Sequence, residues 1–142
     1  MLREEIKNFL KKISNYAEKK NVTLYLVGGF LRDYFLRILT RDIDFVVTGN
    51  AEKFARRLAK IISGSFVLLD KKNKIYRIAV KTDKRQGGNK IYHLDFSQMQ
   101  GKNIQQDLSR RDFTINSLAL PITHYLLPIT HYPRVSEYSS SV

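Results

Sequence analysis

Residues 24–47 constrain this chain of 142 residues more than any other stretch. Leu24, Tyr25, Leu26 and Val27 are strand-forming residues that run straight into Gly28 and Gly29. Phe30, Leu31, Tyr34, Phe35, Ile38 and Leu39 then recur at helical spacing, which predicts a helix over residues 30–39 with one broad apolar face. Asp42, Ile43, Asp44, Phe45, Val46 and Val47 follow, and residues 43–47 read as a second strand. Side chains alternate along a strand, so Asp42 and Asp44 project to one face while Ile43, Phe45 and Val47 turn the other way, into a core. Two neighbouring carboxylates repel unless a cation sits between them. Hard oxygen ligands suit magnesium, which also binds substrate phosphates. Two solvated acids on an exposed edge would give the same spacing. The position just after a glycine-turned strand–helix unit favours the metal.

The glycines point the same way. Without a Cβ, Gly28 and Gly29 let backbone approach a ligand closely. The helix that follows offers free N–H groups and a positive dipole end to an anion. Arg32 falls in the first turn of that helix, where the dipole disfavours a cation and a bound phosphate would offset the conflict. A glycine pair also makes a plain turn, and Arg32 with Asp33 also makes a local ion pair or cap. For Asp33 the structural role is the expected one. Together the segment suits a nucleoside triphosphate held with magnesium.

Around this unit the chain reads as one domain. Leu2, Ile6, Phe9, Leu10, Ile13, Tyr16 and Ala17 mark an N-terminal amphipathic helix that stops near Asn21. After a turn at Thr48, Gly49 and Asn50, with Asn50 as cap, a helix carries Ala51, Phe54, Ala55, Leu58, Ala59 and Ile62 inward. Its Lys53, Arg56, Arg57 and Lys60 form a basic stripe, read as a wet helix face in preference to an RNA contact. Strands are expected over residues 66–69, 75–80 and 91–96, and a mobile loop over residues 81–90. Asn103 and Gln106 resemble a capping box for a short helix over residues 103–111, and Asp112 can cap a further helical segment ending at Pro121. The fold class is therefore α/β: a small mixed, mostly antiparallel sheet with helices mainly on one face.

Charge narrows the partners. Twenty-five Lys and Arg against thirteen Asp and Glu leave a net +12, a surface that attracts polyanions, nucleic acid first. No apolar run approaches a membrane span. No leader peptide is visible, and the absence of cysteine excludes a disulfide framework and a thiolate metal site. These features are compatible with a cytoplasmic protein.

Two further groups of residues carry chemistry. Asp95 is an acid in a β-prone run, placed where the chain could return beside Asp42. It could complete a metal site, act as a base, or cap a strand end. His93 has no partner at metal spacing and reads as packing or surface. Arg110 and Arg111 at a helix junction can grip phosphate oxygens. Asn116, one helical turn after Asp112, can face the same site and bond a ribose.

The tail departs from all this. Leu120-Pro121-Ile122-Thr123-His124-Tyr125 recurs as Leu127-Pro128-Ile129-Thr130-His131-Tyr132, followed by a serine-rich end. The expected division is a catalytic unit over residues 1–120 and an atypical duplicated tail over 121–142, disordered or non-native. The alternative is a β-prone tail that pairs with the sheet or with another chain.

Leu26-Val27-Gly28-Gly29-Phe30-Leu31-Arg32-Asp33, Asp42-Ile43-Asp44-Phe45-Val46-Val47 and the run from Asp107 through Arg110-Arg111-Asp112-Phe113-Thr114-Ile115-Asn116 to Ala119 together resemble the head domain of the class II tRNA nucleotidyltransferases. These are the bacterial-type CCA-adding enzymes and poly(A) polymerases of the polymerase β superfamily. The resemblance covers roughly residues 5–120. It implies a polymerase β-like fold and transfer of AMP or CMP from ATP or CTP to an RNA 3′-hydroxyl, such as a tRNA end, with Mg2+. By position it implies metal-binding aspartates at Asp42 and Asp44, and Asp95 as a third acid. It also implies triphosphate and ribose contacts from Gly28, Gly29, Arg32, Arg110, Arg111, Asp112 and Asn116. The family's helical neck, body and tail domains have no counterpart here, and Gln98-Met99-Gln100-Gly101 lacks the arginine many relatives place before the glycine. A homo-oligomer, a separate helical subunit, or a remnant that binds without turnover are the readings this leaves open.

Overall fold

A computed structural model of the protein describes residues 4–38, 40–81, 90–110 and 119–122. Helix α1, Glu4–Lys19, buries Ile6, Leu10, Ile13, Tyr16 and Ala17, the expected stripe. It ends near Asn21, which takes a left-handed φ of 53°. Strand β1, Leu24–Val27, meets helix α2, Gly29–Phe35, through Gly28, whose φ of 72° is one a side chain would resist. The helix is shorter than its apolar spacing implies. Arg37 adopts a φ of 57° and the Ile38 N–H donates to the Asp33 carbonyl at 2.7 Å, a left-handed stop that ends the helix at Phe35. Ile38 is consequently 54% exposed rather than packed with Phe30.

Strand β2, Asp42–Val47, is followed by α3, Ala51–Ile61, where Asn50 Oδ1 accepts the Lys53 N–H as the N-cap. Strands β3, Ser65–Asp70, and β4, Ile75–Lys81, form a hairpin. At its turn both Asp70 carboxylate oxygens accept hydrogen bonds from Asn73, which holds that carboxyl below its ordinary pKa. Strand β5, Ile91–Gln98, leads into α4, Ile104–Ser109. Asn103 caps α4 as expected, whereas the Gln106 side chain accepts the Lys102 N–H instead of closing the box on Asn103. The loop expected between β4 and β5 falls largely on residues 82–89, outside the described residues.

The strands form a single mixed sheet in the order β3-β4-β5-β2-β1-β6, and β2 with β5 is its parallel pair. Helices α1 and α3 cover one face, meeting Ile43, Phe45, Val47, Leu24, Leu26, Ile78, Leu94 and Phe96 in the main core. Phe45 and Phe96, on adjacent strands, stack with ring centroids 4.9 Å apart. A smaller cluster of Val27, Val46 and Leu108 lies on the other face, with Tyr25, Met99 and Ile104 packed against it. Helix α4 therefore covers only the Val46 end of β2, and Asp42 and Asp44 lie on the same face beyond it.

Strand β6, Ala119–Pro121, corrects one expectation. It pairs antiparallel with β1, so residues 119–121 are strand where a helix end was expected. Ile122 is fully buried in the main core; its N–H donates to the Leu24 carbonyl at 3.2 Å and its carbonyl accepts the Ser14 hydroxyl at 2.7 Å. Pro121 and Ile122, near the start of the first tail copy, thus belong to the sheet and its core. Residues 123–142 lie outside the described residues.

Candidate active site

The register of four strands assembles the site. Across the α4-bearing face, Val27 of β1 sits beside Asp44 of β2, Asp44 beside Asp95 of β5, and Asp95 beside Arg77 of β4. One step along, Asp42 pairs with His93 and His93 with Ala79. The parallel return of β5 along β2 is thus what brings Asp95, remote in sequence, to the aspartate pair. A cleft of about 420 Å3 opens here, lined by Gly28, Asp44, Asp95 and Arg110 together with Val27, Ser97 and the hairpin residues Leu69, Asn73 and Ile75. Four of the residues singled out in the sequence therefore meet at one opening, from the β1–α2 turn, two strands and the end of α4.

The electrostatics are more particular than the sequence suggests. Arg77 binds Asp95 with both arms of the fork: Nε to Oδ1 at 2.7 Å and Nη2 to Oδ2 at 2.9 Å. The bond to Asp95 and the fields of Asp95, Asp42 and Asp44 hold the guanidinium pKa above its usual value, against the opposing effect of burial. On the neighbouring row His93 Nδ1 lies 3.2 Å from Asp42 Oδ1, so this histidine touches an acid of the site rather than serving only packing. Sequence reading missed Arg77. Its signal was a cation at the centre of the strand, between Ile75 and Ala79 on the face that turns away from the core.

Arg110 is placed by another missed residue. Asp107 is fully buried and its Oδ2 accepts the Gln100 N–H at 2.8 Å, with Arg110 Nη2 at 3.5 Å. A buried carboxylate needs such partners. The one chosen here ties the turn after β5 to the arginine that lines the cleft. Arg32 does not line the cleft. Its Nε bonds Asp33 Oδ1 at 2.9 Å, the local ion pair weighed for it, and its guanidinium crosses Gly29 so closely that a Cβ there would lie 3.1 Å from Nη2. Arg111, Asp112 and Asn116 lie outside the described residues.

Asp42 and Asp44, on one face of one strand, supply the hard oxygen donors that a divalent cation takes. Among the described residues no three acidic or histidine side chains converge as a ready-made metal cage. Two of the acids have basic partners: Arg77 engages both oxygens of Asp95 from the strand beyond it, and His93 engages Asp42. The donor types fit a metal; their present partners compete with it.

Comparison with known proteins agrees with this geometry. The family model described as the poly A polymerase head domain matches residues 24–128, and the chain belongs to that family. A CC-adding tRNA nucleotidyltransferase of Geobacter sulfurreducens is 37% identical over 108 residues, which is 76% of this chain and 24% of that protein. An A-adding tRNA nucleotidyltransferase of Halalkalibacterium halodurans is 29% identical over 78% of this chain and 27% of its own length. Among solved structures, a CCA-adding enzyme with CTP superposes with a TM-score of 0.73 at 31% identity, covering 87% of this chain and 29% of that one. A Thermotoga maritima CCA-adding enzyme complexed with tRNA gives 0.72 at 32% identity, covering 87% and 28%. The fold is thus the polymerase β-like nucleotidyltransferase fold, and the chain spans about a quarter of the length of the curated relatives it matches.

Proposed function

We propose that the cleft is a metal-dependent nucleotidyltransferase site that adds AMP or CMP from ATP or CTP to the 3′-hydroxyl of RNA, a tRNA end in the first place. The observation that carries this reading is the meeting of Gly28, Asp44, Asp95 and Arg110 at one opening, in a chain whose relatives are named for adding C or A to tRNA. The hydroxyl oxygen would form a bond to the α-phosphorus while the bond from that phosphorus to the departing pyrophosphate breaks. Mg2+ held by Asp42 and Asp44, with Asp95 beside them, would favour the deprotonated hydroxyl and offset charge on the leaving pyrophosphate.

The remaining residues position the substrate. The turn at Gly28 and Gly29 would admit phosphate oxygens close to backbone. Arg110, braced by Asp107, would bond the triphosphate. Arg32 would join it by exchanging Asp33 for phosphate. Arg111, Asp112 and Asn116 would complete triphosphate and ribose recognition. We place the reaction in the cytoplasm, where tRNA is processed.

Labelled ATP or CTP, Mg2+ and tRNA lacking its 3′ end test the reading. The wild-type chain is expected to incorporate label, and Asp44→Ala to lose on the order of a thousand-fold, the several kcal/mol that a metal contributes to charge stabilisation. Equal incorporation by wild type and Asp42→Ala/Asp44→Ala would overturn it. The engagement of Asp95 and Asp42 by Arg77 and His93 favours a second reading, a chain that binds nucleotide or RNA without turnover. Nucleotide binding without incorporation would select that one.

A further inference from the structure

We propose that Arg77 is the resident counter-cation of the carboxylate cluster, competing with a divalent metal for Asp95. The inference rests on the reading of the cleft as a metal site and adds a residue to it.

Three observations carry it. The contact is a full fork, with both guanidinium arms on both carboxylate oxygens at 2.7 and 2.9 Å. The pair is largely withdrawn from water, with side-chain exposures of 29% for Arg77 and 16% for Asp95, so it is not a rim contact averaged away by solvent. The register also sets its direction. Asp95 stands between Asp44 on one side and Arg77 on the other, so the guanidinium holds the third acid from the strand opposite the aspartate pair.

The charge count gives the consequence. Three carboxylates on one sheet face carry −3, and Arg77 reduces this to −2 without any metal. The arginine thereby relieves repulsion that would otherwise oppose folding. A carboxylate oxygen keeps a second lone pair when it accepts from arginine. A metal can therefore reach Asp95, but against a neighbouring positive charge and a weakened donor. Removing Arg77 should strengthen metal binding and weaken the metal-free fold. A merely structural ion pair would do only the second.

The test is titration of the full chain with Mn2+, read by electron paramagnetic resonance of the free ion, alongside thermal melting with and without Mn2+. Arg77→Gln is expected to bind Mn2+ more tightly, on the order of ten-fold for one unit charge removed at partly solvated range. Its metal-free melting temperature should fall below wild type, and its gain in melting temperature with Mn2+ should be the larger. Adding Asp95→Asn to Arg77→Gln should cancel the tightening. If Arg77→Gln is unfolded without metal, refolding on Mn2+ is the expected result, and failure to refold at millimolar Mn2+ overturns the proposal. Unchanged or weaker binding in a folded Arg77→Gln, with binding still lost in Asp44→Asn, overturns it while leaving the metal site standing. Absence of saturable Mn2+ binding in wild type and variant alike removes both.

Discussion

Asp107 shows how much one buried side chain can decide. Its carboxylate accepts from the Gln100 backbone and lies beside Arg110, joining the exit of β5 to the end of α4 at the edge of the cleft. Asp107→Ala would leave the Gln100 N–H without that acceptor and Arg110 without its brace. The bond is partly buried; an unsatisfied buried donor costs about 1–3 kcal/mol, so a loss toward the lower end of that range should lower the melting temperature measurably. If Arg110 contacts triphosphate, KM for ATP or CTP should rise as well. Asp107→Asn keeps an acceptor oxygen for Gln100 and should recover most of the stability but not the KM. A KM unchanged in both variants would separate Arg110 from nucleotide binding. The run from Asp107 to Asn116 stands out in the sequence because of its arginines, yet the acid that holds the first of them can be recognised only once its burial is known.

At the scale of elements, the sequence told most where local chemistry decides. The β1–glycine–α2 unit, the alternation in β2 and the Asn50 cap all follow from residue type and spacing, and all are present. Reading failed where a partner remote in sequence decides. Residues 119–121 carry a leucine and a proline that suit a helix end as well as an edge strand, and β1 settles the matter by pairing with them. Ile122 looked like part of a repeat and is core because Ser14 and Leu24 receive its backbone. A chain ending at Ile122 should therefore melt well above one ending at residue 118. Burying one isoleucine contributes about 1.5–3 kcal/mol, and the Ser14 bond about a further 1 kcal/mol. Ser14→Ala in the full chain should lower the melting temperature by an amount that includes the second contribution. Equal melting of the two shortened chains would remove β6 from the stabilised sheet.

The whole molecule combines a net charge of +12 with an acidic site on one sheet face and a helical layer on the other. Part of the basic excess lies on α3, where Lys53, Arg57 and Lys60 are exposed, while Arg56 pairs with Glu52 and lies over the Phe66 ring. Binding of single-stranded RNA should therefore weaken steeply with salt, with log K falling by about 0.7 per decade of salt for each phosphate neutralised. Fluorescence anisotropy between low and moderate salt measures that slope, and a slope near zero would refute an electrostatic hold on RNA. The acidic site has its own dependence on the entire fold. Parallel β2 and β5 cannot be joined by a tight turn, and here α3 and the β3–β4 hairpin intervene. A slip of one residue between β2 and β5 would send Asp95 to the opposite face. A mispaired chain would then lack Asp95 beside Asp44 on the face where the proposed ion would bind. Since a ligand stabilises only the state that binds it, a divalent ion would favour the correct pairing over its neighbours, so that the cluster proofreads the assembly that creates it.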